Sequence, residues 1–138
     1  MEQLLVELSR RGVKLRIIMP GPITDATLVR RASRSTWGSI LAAGAEIYEF
    51  QPTMFHCKVL VIDALWTSVG STNFDNRSFR LNDEANLNVY DADFARRQIR
   101  DFENDRARSR RITFDEWDNR AWTEKAWEKL WGLLGPQL

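Results

Sequence analysis

The sequence predicts an α/β fold, a mixed sheet flanked by helices, in one domain covering residues 1–138. Three observations carry it. The first 50 residues run helix, strand, helix, strand, and strand–helix–strand order implies a parallel pair with a right-handed crossover. A chain of 138 residues with 43% hydrophobic and 28% charged side chains can bury a core and does not have the composition of a disordered one. No repeat, linker or low-complexity tract divides it.

The elements follow in order. Leu4, Leu5 and Leu8 fall on one helical face, and Arg10 and Arg11 precede a stop at Gly12. Val13, Leu15 and Ile17 alternate with Lys14 and Arg16 in a strand that continues to Met19 and breaks at Pro20-Gly21-Pro22. Thr24 or Asp25 caps a second helix running to about Ala43, which Gly44 ends. Ala45 to Phe50 is a short strand closed by Pro52. Met54 to Ile62 is the most β-like stretch, with Trp66 to Val69 as its return strand after a turn at Ala64-Leu65. Asn86 to Tyr90 is a further strand. From Asp93 the pattern is helical, carried by Phe94, Ala95, Gln98, Ile99 and Phe102. Thr113-Phe114-Asp115-Glu116 has capping-box spacing and opens a tryptophan-rich helical segment over 113–135, before Gly135-Pro136.

Charge and composition exclude several classes. Twenty basic against nineteen acidic side chains give a net +1, which is no global polycation. One cysteine allows no internal disulfide and suits a reducing compartment. No apolar run approaches the roughly 20 residues that span a bilayer, and the charged N-terminus lacks a signal-peptide core.

The chemistry concentrates around the one histidine. In Phe55-His56-Cys57-Lys58-Val59-Leu60-Val61-Ile62-Asp63, His56 and Lys58 are two apart. On a strand they share a face, about 7 Å apart along the chain. An imidazole beside a lysine, with no carboxylate close in sequence, is a poor metal site and a good anion site. Asp63 is seven residues from His56 and falls on the opposite face of an unbroken strand, so it reads as the strand's end and the support of a turn. Val69-Gly70-Ser71-Thr72-Asn73 supplies a glycine that admits close backbone approach, a hydroxyl and an amide donor. Paired across the turn, these groups converge on one phosphate. Taken singly, a lone strand histidine is most often a packing residue and a lone Gly-Ser-x-Asn a turn; together at this spacing they are not.

His-x-Lys-(x)4-Asp followed by Gly-Ser-x-Asn resembles the signature of the phospholipase D superfamily. The likeness extends through Asn73-Phe74-Asp75-Asn76-Arg77-Ser78, Leu81-Asn82-Asp83-Glu84, Arg11–Val13, Gly44–Glu49 and Phe114–Trp117, all similar to the C-terminal catalytic half of the bacterial cardiolipin synthase branch. The resemblance implies a two-step exchange in which His56 attacks phosphorus and forms a phosphatidyl-histidine. Lys58, Ser71 and Asn73 then hold the non-bridging oxygens, and Glu84 orients the nucleophile through its other ring nitrogen. Asp63 completes the motif as a structural support. Neither metal nor cofactor is implied. The implied substrate is a phospholipid, phosphatidylglycerol, taken from an anionic membrane surface on the cytoplasmic side of the bacterial inner membrane, with the chain peripheral to it.

The resemblance also exposes a deficit. Expelling the leaving alcohol needs a proton donor, and the family takes it from the histidine of a second motif. The chain has one histidine, so the expected partner is a second copy in a homodimer or a second phospholipase D-like half. The family's usual first strand precedes the first helix and is missing here, which favours a fragment. Two other readings stay open: a homodimeric metal-independent phosphodiesterase or nuclease acting on nucleic acid, and a non-catalytic lipid-binding fragment.

Three further features each have a bland and a functional reading. Trp117, Trp122, Trp127 and Trp131, with Ala121, Ala126 and Leu130, either pack a helix onto the sheet or sit at lipid headgroup level. Residues 96–111 hold seven arginines against Asp101, Glu103 and Asp105, either a solvated helix face or a surface for anionic lipid or nucleic acid. Arg30, Arg31 and Arg34 form a smaller cluster with the same two readings. Cys57 reads as core filler, and Arg77 as a support for the loop after the phosphate turn.

Overall fold

The computed structural model describes residues 1–24, 30, 33–73 and 83–125. Its elements are α1 (Glu2–Arg10), β1 (Arg16–Pro20), α2 (Trp37–Ala42), β2 (Glu46–Phe50), β3 (Val59–Ile62), β4 (Trp66–Gly70), β5 (Asn86–Tyr90), α3 (Ala92–Ala107), β6 (Ser109–Ile112) and α4 (Phe114–Asp118). The class is α/β as predicted. The strands divide between two three-stranded sheets, β1-β2-β6 and β3-β4-β5. Contacts group the chain into two compact units, residues 1–55 with 109–138, and residues 56–108.

In the first unit β1 and β2 run parallel, Arg16 opposite Glu46 through Pro20 opposite Phe50, as the strand–helix–strand order requires. β6 closes the other side antiparallel, with Ile47 opposite Ile112. As the central strand, β2 is buried at Ile47, Tyr48, Glu49 and Phe50. The core joins Ile47 and Ile112 to Trp37, Ile40 and Leu41 of α2 and to Ala45, with Leu5, Val6, Leu15, Ile17, Met19 and Trp117 against it. α1 and α2 end before Gly12 and Gly44, whose φ of +88° and +97° is the left-handed region that glycine adopts without penalty.

Ile47 and Glu49, two apart, share one face of β2. Glu49 brings a carboxylate, 2% exposed, to the edge of the apolar core. It accepts hydrogen bonds from Arg30, from Arg34 at 2.8 Å and from Arg110 at 3.1 Å. Burial works to lower the pKa of Arg110, but hydrogen bonds and charge from Glu49 and Glu116 outweigh it, and the guanidinium titrates above its ordinary value. Arg30 and Arg34 are therefore part-buried ion-pair partners of Glu49 rather than a solvated face; Arg31 lies outside the described residues. A cleft of about 730 Å³ beside them is lined by these same arginines with Trp117 and Arg120.

The expected helix from Thr24 or Asp25 to Ala43 is interrupted. Ser33 and Arg34 are helical, a turn follows at Ser35-Thr36, and α2 begins at Trp37. Side chains of Ser33 and Thr36 hydrogen-bond carbonyls three residues back, at 2.9 and 2.8 Å, and such bonds compete with the helical ladder. The arginine-rich stretch also differs from a continuous helix, since it leaves α3 at Ala107 and pairs as β6. Its arginines meet acids: Arg96 with Asp93, Arg106 with Glu103, Arg108 with Asp105, Arg111 with Glu46. Arg96 holds the exposed Asp93 carboxyl below the usual aspartate range, by hydrogen bond first and charge second.

The Thr113 cap forms: its hydroxyl accepts from Glu116 N at 3.1 Å and α4 starts at Phe114. The Glu116 carboxylate pairs with Arg110 instead of closing a capping box, and the expected helical segment 113–135 is broken at residues 119–121. Trp117 takes the packing role. Its Nε1 donates to Arg34 O at 2.9 Å, Arg120 stacks 3.8 Å above its ring, and a Cβ on Gly38 would fall on that ring. Trp122 is exposed at 78%, while Trp127, Trp131, Ala126 and Leu130 lie outside the described residues.

The second unit is an antiparallel meander. β3 pairs β4 from Val59 opposite Val69 to Ile62 opposite Trp66, and β4 pairs β5 from Trp66 opposite Tyr90 to Gly70 opposite Asn86. α3 packs on this sheet through Ala95, fully buried. Its N-cap is Asp91, whose carboxylate accepts from Phe94 N at 2.6 Å. The hairpin turns through Asp63 and Ala64, φ 51° and 52°, with Leu65 N bonded to Ile62 O at 3.1 Å. Two left-handed residues in succession match the right-handed twist of the flanking strands.

Candidate active site

The meander decides which residues can meet. β3 starts, β4 ends and β5 starts at the same end of the sheet. His56 and Lys58 enter β3 at that end, Ser71 and Asn73 leave β4 there, and Glu84 approaches β5 there. Asp63 lies at the other end, in the hairpin turn, beyond the four residues of β3 and so roughly 13 Å away along the strand. The site residues read from the sequence thus fall into one group of five at one end and Asp63 apart from them.

Residues 54–58 are not part of the ladder, which corrects the expected strand from Met54. Pairing begins only where Gly70 N donates to Lys58 O at 3.2 Å, one step before Val59. Before that point no strand pairs with residues 54–58 among the described residues, so no sheet face fixes which way their side chains point. Cys57 is accordingly exposed rather than core filler.

The two basic residues still meet. Lys58 Nζ lies 2.9 Å from His56 Nδ1 and donates to His56 O at 3.0 Å. An ammonium has three donors and no acceptor, so Nδ1 receives this hydrogen bond. His56, Ser71 and Asn73 are exposed and Lys58 and Glu84 half-buried, leaving an open end to the sheet that brings an ammonium, an imidazole and a carboxylate. Among the described residues no group of three His, Cys, Asp or Glu side chains is placed to hold a metal ion.

The loop after β4 is fastened to the start of β5. Ser71 N donates to Ala85 O at 3.0 Å, and Ala85 N donates back to Ser71 Oγ at 3.0 Å. Thr72 N donates to Asn86 Oδ1 at 3.2 Å, and Asn86 Nδ2 donates to Ser68 Oγ at 3.2 Å. Sequence reasoning missed Asn86. The available signal was a poor strand former at the first position of a strand, directly opposite a glycine. Arg77 and the rest of the segment 74–82 lie outside the described residues.

The family described as "Cardiolipin synthase, PLD-like domain" matches residues 1–106. Cardiolipin synthase A of Erwinia tasmaniensis is 39% identical over 128 residues, 93% of this chain and 26% of that protein. Cardiolipin synthase 2 of Bacillus anthracis is 37% identical over 127 residues, 92% of this chain and 24% of that protein. The chain thus spans about a quarter of the length of these relatives. Among solved structures, the phospholipase D family member Nuc from Salmonella typhimurium shares the fold, with a TM-score of 0.70 at 21% identity over 81% of this chain and 72% of that one. No helix among the described residues is long and apolar enough to cross a membrane.

Proposed function

Since the chain belongs to the phospholipase D-like domain family of the cardiolipin synthases, we propose that it is the motif-bearing catalytic part of a phosphatidyltransferase that makes cardiolipin from two phosphatidylglycerols. The observation that carries this reading is the convergence of the His56–Lys58 pair and the Ser71–Asn73 loop at one end of one sheet. The substrate rests on the relatives and the reaction type on the residues.

His56 Nε2 attacks the phosphorus of the first phosphatidylglycerol, and the bond from phosphorus to the glycerol oxygen breaks. The leaving glycerol takes a proton from a general acid. The intermediate is a phosphatidyl-histidine, one difficult displacement divided into two easier ones. A hydroxyl of the second phosphatidylglycerol then attacks phosphorus, gives its proton to the same acid–base group, and frees His56. Lys58, Ser71 and Asn73 meet the charge that develops on the non-bridging oxygens. Glu84 orients the imidazole through Nδ1. Asp63, at the far turn, supports the hairpin that presents the site.

The general acid is the histidine of a second motif, brought by another copy of this chain or by a second phospholipase D-like half. In this reading residues 1–138 act as one domain, peripheral to the cytoplasmic face of the bacterial inner membrane. The test is phosphatidyl transfer on phosphatidylglycerol vesicles, with the upstream half of a relative supplied. His56→Ala is expected to remove transfer and the radiolabelled covalent intermediate together; transfer that survives it would sink the assignment. Cleavage of DNA in EDTA without lipid transfer would instead identify a phosphodiesterase.

A further inference from the structure

We infer that Asn86 is a positioning residue that fixes the phosphate-binding loop, an inference that rests on the reading of Ser71 and Asn73 as phosphate ligands. Its carboxamide is used on both ends: Oδ1 accepts from Thr72 N and Nδ2 donates to Ser68 Oγ, each at 3.2 Å. One side chain therefore ties the loop to the last turn of the β4 ladder. Ala85, its neighbour, exchanges two bonds at 3.0 Å with Ser71. Ser71 and Thr72, the two residues before Asn73, are thereby given a fixed frame, although Asn73 itself is exposed.

Gly70 makes the clasp possible. A Cβ there would fall on Asn86 Oδ1 and on Ala85 O, and within 2.7 Å of Asn86 Cα. The glycine of Gly-Ser-x-Asn thus gives its side-chain space to Asn86. The bonding also sorts the donors. Thr72 N is consumed by Asn86, so this amide is turned away from an incoming anion. Ser71 Oγ accepts from Ala85 N, and among the described residues its proton meets Ala85 O at 3.5 Å. A phosphate oxygen is a better acceptor than that long contact. The loop accordingly presents a hydroxyl and a carboxamide to phosphate rather than a row of backbone amides.

The experiment uses the full chain, with inorganic phosphate as the probe and backbone amide spectra as the readout. In the wild type, phosphate is expected to shift Ser71 and Asn73, and Thr72 N–H to exchange slowly. Asn86→Ala should lose Thr72 protection and bind phosphate about tenfold more weakly, the scale of one organising hydrogen bond. Asn86→Asp keeps the acceptor and should keep Thr72 protected. Asn88→Ala, on the same exposed strand, should leave both readouts alone, which separates positioning from general loss of stability. Wild-type phosphate affinity and Thr72 protection in Asn86→Ala would overturn the inference while leaving the site intact. An absence of any phosphate shift in the wild type would overturn the phosphate-site reading and this role with it. Should Asn86→Ala fail to fold, loss of Thr72 protection in Asn86→Asp would overturn it.

Discussion

In the proposed mechanism Lys58 has two tasks that conflict at rest. Its ammonium donates to His56 Nδ1 at 2.9 Å, so a neutral ring carries its proton on Nε2, the atom assigned to attack. In the proposed mechanism substrate would resolve the conflict by drawing Nζ to a phosphate oxygen, after which Nδ1 would bear the proton and Glu84 accept it. Long-range proton–nitrogen spectra of the chain's one histidine are expected to show the Nε2–H tautomer without ligand. Lys58→Met should abolish the hydrogen-bond shift at Nδ1; an Nδ1–H tautomer in the wild type would contradict the geometry. Glu49 offers a prediction of the opposite kind, about stability alone. Three arginines face its buried carboxylate, and removing one side of a buried ionic cluster costs about 3–5 kcal/mol. Glu49→Gln should lower the urea midpoint accordingly, with no effect expected on phosphate binding. These two sites also differ in legibility. His56 and Lys58 are two residues apart, and a local motif suffices to read them. Glu49 meets partners 15, 19 and 61 residues away, and only the pairing of β2 with β6 brings Arg110 to it.

Among the elements, those with strong local signals were legible and those defined by a partner were not. β5 and the Thr113 cap lie where alternation and capping-box spacing put them. β6 was hidden because Ser-Arg-Arg-Ile has one apolar residue, and a charged edge strand carries almost no period-two signal. The stretch 54–58 failed in the other direction. It reads as strand in sequence, but among the described residues no strand pairs with it, and the segment that carries His56 lies outside the ladder. The β3–β4 turn was placed within a residue, yet its conformation is not what alanine prefers. Ala64 at φ 52° costs roughly 1 kcal/mol relative to glycine in the left-handed region. Ala64→Gly should therefore raise stability by about 0.5–1 kcal/mol in denaturant unfolding. Because the turn is at the far end of the hairpin from His56, phosphate binding should be unchanged. A destabilised Ala64→Gly variant would show that the strain is not there.

For the molecule as a whole the proposed reaction turns on arithmetic: a two-step exchange needs a nucleophile and an acid–base partner, and the chain supplies one imidazole. Lys58 does not serve as the second group in this reading, because it is needed as a charge on the phosphate oxygens throughout. Turnover should then track assembly rather than chain concentration. If two copies share a site, the rate per chain falls on dilution below the dimer dissociation constant, and light scattering gives twice the chain mass of 16.1 kDa where the rate is high. Adding excess His56→Ala chains would lower the activity further, since mixed pairs lack one of the two histidines. If a second half is the partner, the chain alone is inactive at every concentration, and activity rises with the added half to a one-to-one plateau. A rate per chain that stays constant on dilution of a 16.1 kDa species would mean that one histidine serves both steps, and the paired mechanism would fall.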